Sequence, residues 1–600
     1  MAQKQKQRSE ISSDYKWDLT KIYSTIKEWN NDYEFALNEL PKLSEFQNHL
    51  MDNGFNLYDY LKKDTEISRL LEKIYFYANL SSDEDTSNTT NQELLGKALN
   101  LFDKYNKEIS FFNPLLMEYD YSIIEKFYQE NPLLKEYQFI LEQLFRYKKH
   151  TLSSKEEKVV SQLSKTFNIP LKTFEKLSDT DMKFGNIIDE NGKEVELTES
   201  NYSKYIRVKD RRVRKDAFKE LYRVYGSYKN TFATTYSSIV EIEGSLAKLY
   251  NYKDALEMSL YADNIDVSVY NNLIETVNKG LPQIHKYYEF RKKQLNLDTQ
   301  HLYDTSVDLI DSKIKEYPFL VGKDIVLNAL KVLGDDYLQI LNKAFNEKLI
   351  DVYNNISKRG GAYSSGCYDT CSYILLNYED RIDDVSTLAH ELGHTLHSYY
   401  SNSNNSYQYS NYKLFVAEVA STVNELLLND YMLKNSSNKT EKLIILNKQL
   451  ELYKSTIYRQ TMFAEFEKFM HEASDSGEIL TNEFISNAYY KLVQKYYGDS
   501  VDIDEEIKYE WARIPHFYYD FYVYKYATGL SAASYIVQNI LNNDKEALEN
   551  YKKFLKSGGS MYPLDELKIV GVDMNNPKVV ESAINIFSKT LEEYKKLLDS

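Results

Sequence analysis

The chain carries the stretch His390-Glu391-Leu392-Gly393-His394, in which two histidines lie four positions apart. The apolar spacing around it predicts an α-helix, and residues i and i+4 of a helix lie above one another on one face. His390 and His394 can therefore direct their imidazole nitrogens at one metal ion. The carboxylate of Glu391 lies beside them, close enough to take a proton from a water molecule without binding the ion. This pattern is typical of a zinc hydrolase.

The scarcity of histidine makes this cluster informative. The chain has 9 histidines in 600 residues, yet His390, His394 and His397 fall within eight positions. From this composition, the motif is expected by chance in about 0.01 of such chains. The competing interpretation is a helix whose histidines are solvated or satisfied in the core.

The third protein ligand has to come from another segment. A longer motif with a third histidine ligand would need Gly at position 397 and His at position 400, where this chain has His397 and Tyr400. The segment 415–428 is apolar at helical spacing, and its only acids are Glu418 and Glu425. An acid inside such a helix needs a cation, a hydrogen bond or a metal. We predict Glu418 as the third ligand. Glu425 is either a hydrogen-bond partner of a ligand histidine or a surface acid.

Composition argues against several classes of protein. The formal net charge of −16 disfavours a nucleic-acid-binding protein. Two cysteines, Cys367 and Cys371, are too few for a disulfide framework and favour a reducing compartment. No apolar stretch follows the basic residues 1–8, and no stretch approaches the length of a membrane span. We therefore expect a cytoplasmic protein that binds neither nucleic acid nor membranes. The oligomeric state is not predicted.

The order of patterns along the chain predicts a mainly α fold. With only 9 prolines and 19 glycines, long uninterrupted helices are expected. Residues 1–14 are predicted to be disordered, and residues 15–198 to form an N-terminal helical domain. This domain would end in a hairpin whose turn, Asn191-Gly192, suits type I′. Residues 199–590 would form the catalytic domain.

An extended segment precedes the predicted metal-binding helix. Glycines at 360, 361 and 366 break helix, and residues 373–376 have the composition of a strand. Asp383 or Asp384 is expected to cap the helix that follows. An exposed strand edge beside a metal can bind a peptide by adding it as another strand. A purely structural strand explains the pattern equally well.

Aromatic residues and one histidine cluster near the C-terminal end of the chain. An aromatic run on a helix usually packs in a core. A hydrolase also needs donors for the oxyanion that forms during attack on a peptide bond, and a neutral Tyr or His is suited to that task. The members of the cluster are His516, Tyr518, Tyr519, Tyr522, Tyr524 and Tyr526.

The chain resembles the oligoendopeptidase F branch of the thimet-oligopeptidase-like zinc peptidases. The resemblance rests first on the pattern HExGHxxH over residues 390–397, followed by Glu418. It extends from about residue 15 to about residue 585. Further matching stretches are Trp17-Asp18-Leu19, 359–364, 374–378, 459–467 and 516–524.

The resemblance implies a fold and an activity. The fold would be mainly α and two-lobed, with a small sheet near the active site and a deep substrate channel. The activity would be hydrolysis of internal bonds in short unstructured oligopeptides by one Zn²⁺, with Glu391 as general base. Family members line the channel opposite the zinc with a His and Tyr residues. Carried over, these are His516, Tyr519, Tyr522, Tyr524 and Tyr526.

Three alternatives stay open from the sequence. The first is a related helical zinc carboxypeptidase, against which His397 and the stretch 459–467 argue. The second is a peptide-binding scaffold without catalysis, which the intact set of catalytic residue types disfavours. The third is a structural interaction protein with an accidental motif, which would bind no zinc tightly.

Overall fold

The computed structural model describes residues 5–310, 315–542 and 544–600, without the side chain of Ser154. Most of these residues are helical, and the strands form one two-stranded and one three-stranded sheet. The mainly α fold predicted from the sequence is confirmed. Among the helices described, none combines the length and hydrophobicity that a bilayer crossing requires.

Contacts group the chain into two compact units made of interleaved segments. The first unit comprises Met1–Thr151, Ile314–Met432 and Ile536–Gly571. The second comprises Leu152–Lys313, Leu433–Tyr535 and Val572–Ser600. The predicted boundary after residue 198 divides the chain into domains that are consecutive in sequence, whereas these units are interleaved. That boundary stays a prediction.

The first unit combines α-helices with a small sheet. Its α-helices are Ile26–Glu39, Pro41–Ser44, Gly54–Glu84, Thr89–Glu108, Phe112–Met117, Tyr121–Glu130, Gln138–Arg146, Phe319–Ala329, Asp335–Asn346, Ile382–Asn404, Lys545–Ser557 and Pro563–Ile569. Helix Leu414–Asn435 begins in this unit. The longest of them, Gly54–Glu84, begins where the Asn53 side chain accepts hydrogen bonds from the N–H groups of Phe55 and Asn56.

The three-stranded sheet lies next to the helix that carries the histidine motif. Its central strand, Tyr373–Tyr378, pairs in parallel with Ile350–Tyr353 and antiparallel with Tyr363–Ser365. The central strand is almost wholly buried, whereas Tyr363–Ser365 is half-buried at the edge. The strand predicted over 373–376 is therefore present. Its neighbour Tyr363–Ser365 lies at one edge of the sheet.

Residues 5–14 have a defined conformation, in contrast to the predicted disorder of residues 1–14. Arg8 donates to Glu84 at 2.8 Å and to the buried Asp351 at 2.7 Å, which ties this segment to the first unit. Lys358 lies on the other side of Asp351 at 2.7 Å, so the buried carboxylate has two cations. Residues 1–4 lie outside the described part of the chain.

The second unit is helical apart from one hairpin. Its α-helices are Ser154–Phe167, Ile169–Lys176, Glu199–Tyr205, Arg211–Ser227, Lys229–Leu249, Ala255–Tyr261, Val267–Gln294, Lys439–Tyr453, Gln460–Asp475, Asn482–Tyr497 and Pro577–Asp599. Helix Tyr524–Leu541 begins in this unit.

The predicted hairpin is present, but its turn is of another type. Strands Asn186–Ile188 and Glu194–Glu196 pair antiparallel. A type I′ turn needs positive φ at both central residues. Gly192 has a positive φ of 78°, but the φ of Asn191 is not positive. The N–H of Gly192 donates to the carbonyl of Asp189, so the chain makes a type I turn followed by a left-handed glycine. The type I′ prediction was wrong because the loop is longer than two residues.

Candidate metal centre

The histidine motif lies on helix Ile382–Asn404, named here the motif helix. The Asp384 carboxylate accepts the N–H groups of Glu379 and Arg381, at 2.9 and 2.8 Å, which fixes where the helix begins. Leu388, Leu392 and Leu396 are fully buried, so one face of the helix is packed in the core. The opposite side carries the histidines of the motif at a fixed spacing.

Gly393 allows a second helix to approach the motif helix closely. The second helix is Leu414–Asn435, named here the ligand helix. A Cβ at position 393 would lie 2.5 Å from Cα of Ser421 and 2.8 Å from the carbonyl oxygen of Ala420. These distances are too short for any side chain, so only glycine permits this approach. The approach puts Glu418 beside the histidines.

His390, His394 and Glu418, named here the metal group, converge through one atom each. The two Nε2 atoms of the histidines are 3.1 Å apart. Oε2 of Glu418 lies 3.4 Å from Nε2 of His390 and 3.6 Å from Nε2 of His394. Zinc bound tetrahedrally at about 2.0–2.1 Å separates its ligand atoms by about 3.3–3.4 Å. The donor types and their spacing therefore fit one zinc ion.

Glu425 fixes the orientation of the first histidine. Nδ1 of His390 lies 2.6 Å from Oε1 of Glu425, whose other oxygen accepts a hydrogen bond from Ser386 Oγ at 3.1 Å. A proton on Nδ1 leaves the Nε2 lone pair of His390 free for a metal. Of the two interpretations left open for Glu425, the hydrogen-bond partner is the one observed.

Local electrostatics separate the two histidines of the metal group. Burial alone would lower the pKa of His390, but the hydrogen bond and negative charge of Glu425 raise it to about 9. Burial and the nearby charge on His390 lower the pKa of His394 to about 4. At neutral pH these shifts favour one positive charge on the pair, and they place it on His390 rather than on His394.

Glu391 is buried beside the metal group. Its residue is 6% exposed, and burial raises the pKa of its carboxyl to about 7. The backbone N–H of Ser364, in the edge strand Tyr363–Ser365, donates to this carboxylate. Ser364 Oγ also lies 2.9 Å from Oγ1 of Thr395, one turn along the motif helix. A carboxyl that titrates near neutral pH suits proton transfer.

His397 is a packed core residue rather than part of the metal group. It is fully buried, and its ring stacks on Tyr412 with centroids 3.6 Å apart and an interplanar angle of 7°. Phe554 covers it from another side. Burial lowers the pKa of His397 to about 3, so the ring is neutral. The role of His397 in this structure is packing.

The C-terminal candidates lie in the second unit, and four of them form one group. His516 is on the short 3₁₀ helix Pro515–Tyr518. Its ring centroid lies 6.1 Å from those of Tyr519 and Tyr522 and 5.9 Å from that of Tyr526. We name His516, Tyr519, Tyr522 and Tyr526 the aromatic group. Burial lowers the pKa of His516, which favours a neutral imidazole.

Tyr524, which the sequence places with the aromatic group, has a different position. It is 1% exposed, and its ring packs against Tyr270 with centroids 5.1 Å apart. Tyr518 is likewise buried, with its hydroxyl 2.8 Å from Oγ1 of Thr235. Both are core residues. Tyr524 and Tyr526 are two positions apart in helix Tyr524–Leu541, so their side chains lie on opposite sides of it.

The chain matches two models of known protein families. Residues 204–586 match the model described as Peptidase family M3, and residues 116–184 match the one described as Oligopeptidase F. The chain belongs to peptidase family M3. It is therefore a metalloendopeptidase, as the resemblance of its motifs implied.

Similar proteins match this peptidase over nearly its whole length. Oligopeptidase PepF of Bacillus subtilis (strain 168) is 40% identical over 591 residues, which cover 98% of this chain and 88% of that protein. A crystal structure from Chlamydophila abortus has a TM-score of 0.94 at 38% identity and covers 99% of this chain and 100% of its own. Oligoendopeptidase-F from Enterococcus faecium has a TM-score of 0.73 at 36% identity, with 96% and 99% coverage.

Three residues around the metal group were not predicted from the sequence. They are Gly393, Ser364 and Ser386, which act through a close helix approach, a backbone N–H and a hydroxyl. Ser386 lies four positions before His390, so helical spacing alone would have found it. The pattern HExGHxxH includes Gly393, and the matching stretch 359–364 includes Ser364, but neither says what these residues contact, because their partners are distant in sequence.

Proposed function

We propose that this metallopeptidase holds one Zn²⁺ through His390, His394 and Glu418 and hydrolyses internal bonds of short unstructured oligopeptides. The observation that carries the proposal is the spacing of the three donor atoms, 3.1 to 3.6 Å, next to the buried carboxyl of Glu391. A bound zinc would supply Lewis acidity, polarising the scissile carbonyl and acidifying the attacking water.

Glu391 is the general base in this proposal. Its carboxylate accepts the proton of the attacking water and then returns it to the leaving amine. The Ser364 N–H restrains the carboxylate, and burial brings its pKa near 7, so that both transfers are accessible at neutral pH. Glu425 keeps the ring of His390 in the tautomer that offers Nε2 to the metal.

The aromatic group supplies the oxyanion donors in this proposal. Tyr hydroxyls and a neutral imidazole donate hydrogen bonds without carrying charge, which suits an oxygen that becomes negative during the reaction. His516, Tyr519, Tyr522 and Tyr526 are the candidates, and Tyr524 is left out because it is buried in the core. Tyr519, which is 44% exposed, is the most accessible of them.

The edge strand is the proposed docking site for the substrate backbone. Strand Tyr363–Ser365 pairs with the central strand on one side, and within the described residues no strand pairs with its other side. A substrate that lies along this edge in extended conformation would place a peptide bond near Glu391. Only a segment without its own secondary structure has free backbone groups for this pairing, which supports unstructured oligopeptides as the proposed substrates.

A mixture of peptides of graded length tests the proposal by mass spectrometry. We expect internal cuts that a chelator abolishes and that zinc restores, with folded proteins left intact. Glu391→Gln should retain zinc and lose turnover by about 10²–10⁴-fold. Glu379→Gln is the control, because this acid lies just before the motif helix with its side chain 50% exposed.

The carboxypeptidase and the binding scaffold each predict a different result in the same assay. Stepwise loss of C-terminal residues would replace the proposal with a carboxypeptidase. Zinc-loaded protein that binds peptides without cutting them would indicate a binding scaffold. Full activity of Glu391→Gln would show that another group is the base.

A further inference from the structure

A strained turn divides the aromatic group into two halves. Asp520 and Phe521 have φ values of 47° and 56°. The left-handed region is disfavoured for any residue with a Cβ, and two such residues in succession are unusual. His516 and Tyr519 lie before this turn, whereas Tyr522 and Tyr526 lie after it. A strained backbone persists only where the surroundings over-determine it.

Glu467 holds the turn from helix Gln460–Asp475. The backbone N–H of Phe521 donates to Oε1 of Glu467 at 2.8 Å, and both residues are fully buried. Burial and the nearby Glu243 raise the pKa of Glu467 well above its ordinary value. The geometry shows Oε1 of Glu467 as the hydrogen-bond acceptor for the turn.

Ser259 holds the same turn from helix Ala255–Tyr261. Its Oγ donates to the carbonyl oxygen of Asp520 at 2.6 Å. The Phe521 ring packs against His471 and Tyr270, with centroids 4.6 and 5.9 Å apart. The carbonyl and the N–H on the two sides of one peptide bond are thus bound by two different helices, which fixes the orientation of that peptide plane.

The fixed peptide plane determines how the two halves of the aromatic group meet. Within the group, Tyr522 stacks on His516 with an interplanar angle of 20°, and Tyr526 OH lies 3.4 Å from His516 Nε2. These contacts join residues on opposite sides of the turn. A change in the φ values of Asp520 and Phe521 would swing Tyr522 relative to His516.

We propose that Glu467 is a positioning residue, which holds the left-handed turn Asp520-Phe521 and thereby aligns His516 with Tyr522 and Tyr526 for the hydrolytic reaction. Ser259 is its partner in this task. The proposal rests on the proposed function of the aromatic group, but the geometry of the turn can be measured separately from catalysis.

The test compares Glu467→Leu, Glu467→Gln and Ser259→Ala with a control variant. Peptide turnover and hydrogen exchange of the segment 517–523 are measured for each. Glu467→Leu removes the acceptor, and we expect kcat to fall by about 10²-fold with KM little changed, since the lost alignment matters in the transition state. The Phe521 amide should exchange faster. Glu467→Gln keeps an acceptor oxygen, so we expect it to restore slow exchange and most of the turnover.

Ser259→Ala keeps the test decisive if the buried leucine prevents folding. It removes the second hydrogen bond from a half-buried position, and we expect faster exchange and a smaller fall in kcat. Glu472→Gln is the control on the helix of Glu467, because its side chain is 62% exposed. Zinc content should stay at one ion per chain in all four variants.

Two results would overturn the proposal. The first is unchanged exchange of the Phe521 amide in both Glu467→Leu and Ser259→Ala. The second is a Glu467→Gln variant as impaired as Glu467→Leu, which would show that the negative charge matters rather than the acceptor. His516→Ala measured in parallel separates the two levels. If it retains full kcat, the oxyanion assignment fails, while the exchange data still decide the role of Glu467.

Discussion

The metal group and the aromatic group are held by different kinds of backbone. His390, His394 and Glu418 lie on two long helices that touch at Gly393. The aromatic group spans a 3₁₀ helix, a left-handed turn and the start of another helix. Helical geometry repeats, so the spacing of residues predicts which side chains converge. A turn does not repeat, and its side chains are positioned by contacts from distant segments.

This difference explains which of the predicted residues lie close together. His390 and His394 converge as helical spacing predicts, and the contact of the second helix at Gly393 brings Glu418 within 3.6 Å of both. Of the five C-terminal residues predicted for catalysis, Tyr524 is buried against Tyr270 instead of joining His516. The comparison suggests that the metal group tolerates changes outside the two helices, whereas the aromatic group depends on residues such as Glu467.

The largest effect is expected from removing the ligand that the second helix supplies. Glu418→Ala leaves two protein ligands where a zinc site needs three, so we expect zinc to be lost on dialysis and turnover to fall by at least about 10³-fold. Metal analysis and peptide cleavage measure this. Asp430→Ala on the same helix is the control. Retention of zinc by Glu418→Ala would remove Glu418 from the metal group.

The next effect tests the assignment of the tyrosines. Among Tyr519→Phe, Tyr522→Phe and Tyr526→Phe, we expect the one that deletes an oxyanion donor to lose about 10²–10³-fold in kcat. Tyr524→Phe serves as the control, since its ring packs in the core. If only Tyr524→Phe shows a large loss in kcat, Tyr524 rather than the other three tyrosines would be the oxyanion donor.

A smaller effect concerns zinc affinity and its pH dependence. Zinc must displace the proton on His390, whose pKa is about 9, so affinity should rise with pH up to that value. Glu425→Gln removes the charge that raises this pKa. We expect affinity to fall about 10–100-fold at pH 9 and to depend less on pH between 7 and 9. Competition with a chromogenic chelator measures both, and an unchanged pH dependence would contradict the assignment.

The smallest effect concerns Glu566, a buried acid of the first unit. Glu425 has His390 and Ser386 as hydrogen-bond partners, which makes Glu566 a useful contrast. Glu566 is fully buried, and within the described residues neither carboxyl oxygen has a hydrogen-bond partner. Burial raises its pKa from 4.5 to about 8. The folded state therefore binds this proton more tightly than the unfolded state, and stability falls as pH rises from about 4.5 to 8.

Replacing this acid should remove that part of the pH dependence. We expect Glu566→Gln to be more stable than the parent at pH 8.5, by roughly 1–3 kcal/mol, and to differ less at pH 5.5. Urea unfolding at the two pH values measures it. A gain of the same size at both values would show that ionisation of Glu566 is not the cause.

Local and distant interactions also explain how much of the fold was predictable. The helix-rich architecture, the hairpin over 184–197 and the strand at 373–376 follow from periodicity and composition. The hairpin turn was assigned to the wrong type because Asn-Gly also fits a longer loop. The interleaving of the two compact units has no local signal, since it depends on contacts between segments far apart in sequence.

The sequence alone placed His390 and His394 on one face of a helix, because a helix repeats every 3.6 residues and side chains four positions apart share a face. It also predicted Glu418 as their partner, but the contact at Gly393 that brings the two helices together is tertiary. Tertiary structure decided the rest. Glu425 became the partner of His390 rather than a surface acid, and Ser364 came to Glu391 from an edge strand. Tyr524 went to the core, and Glu467 reached the turn 54 residues away. These positions depend on packing between distant segments, which local spacing does not encode.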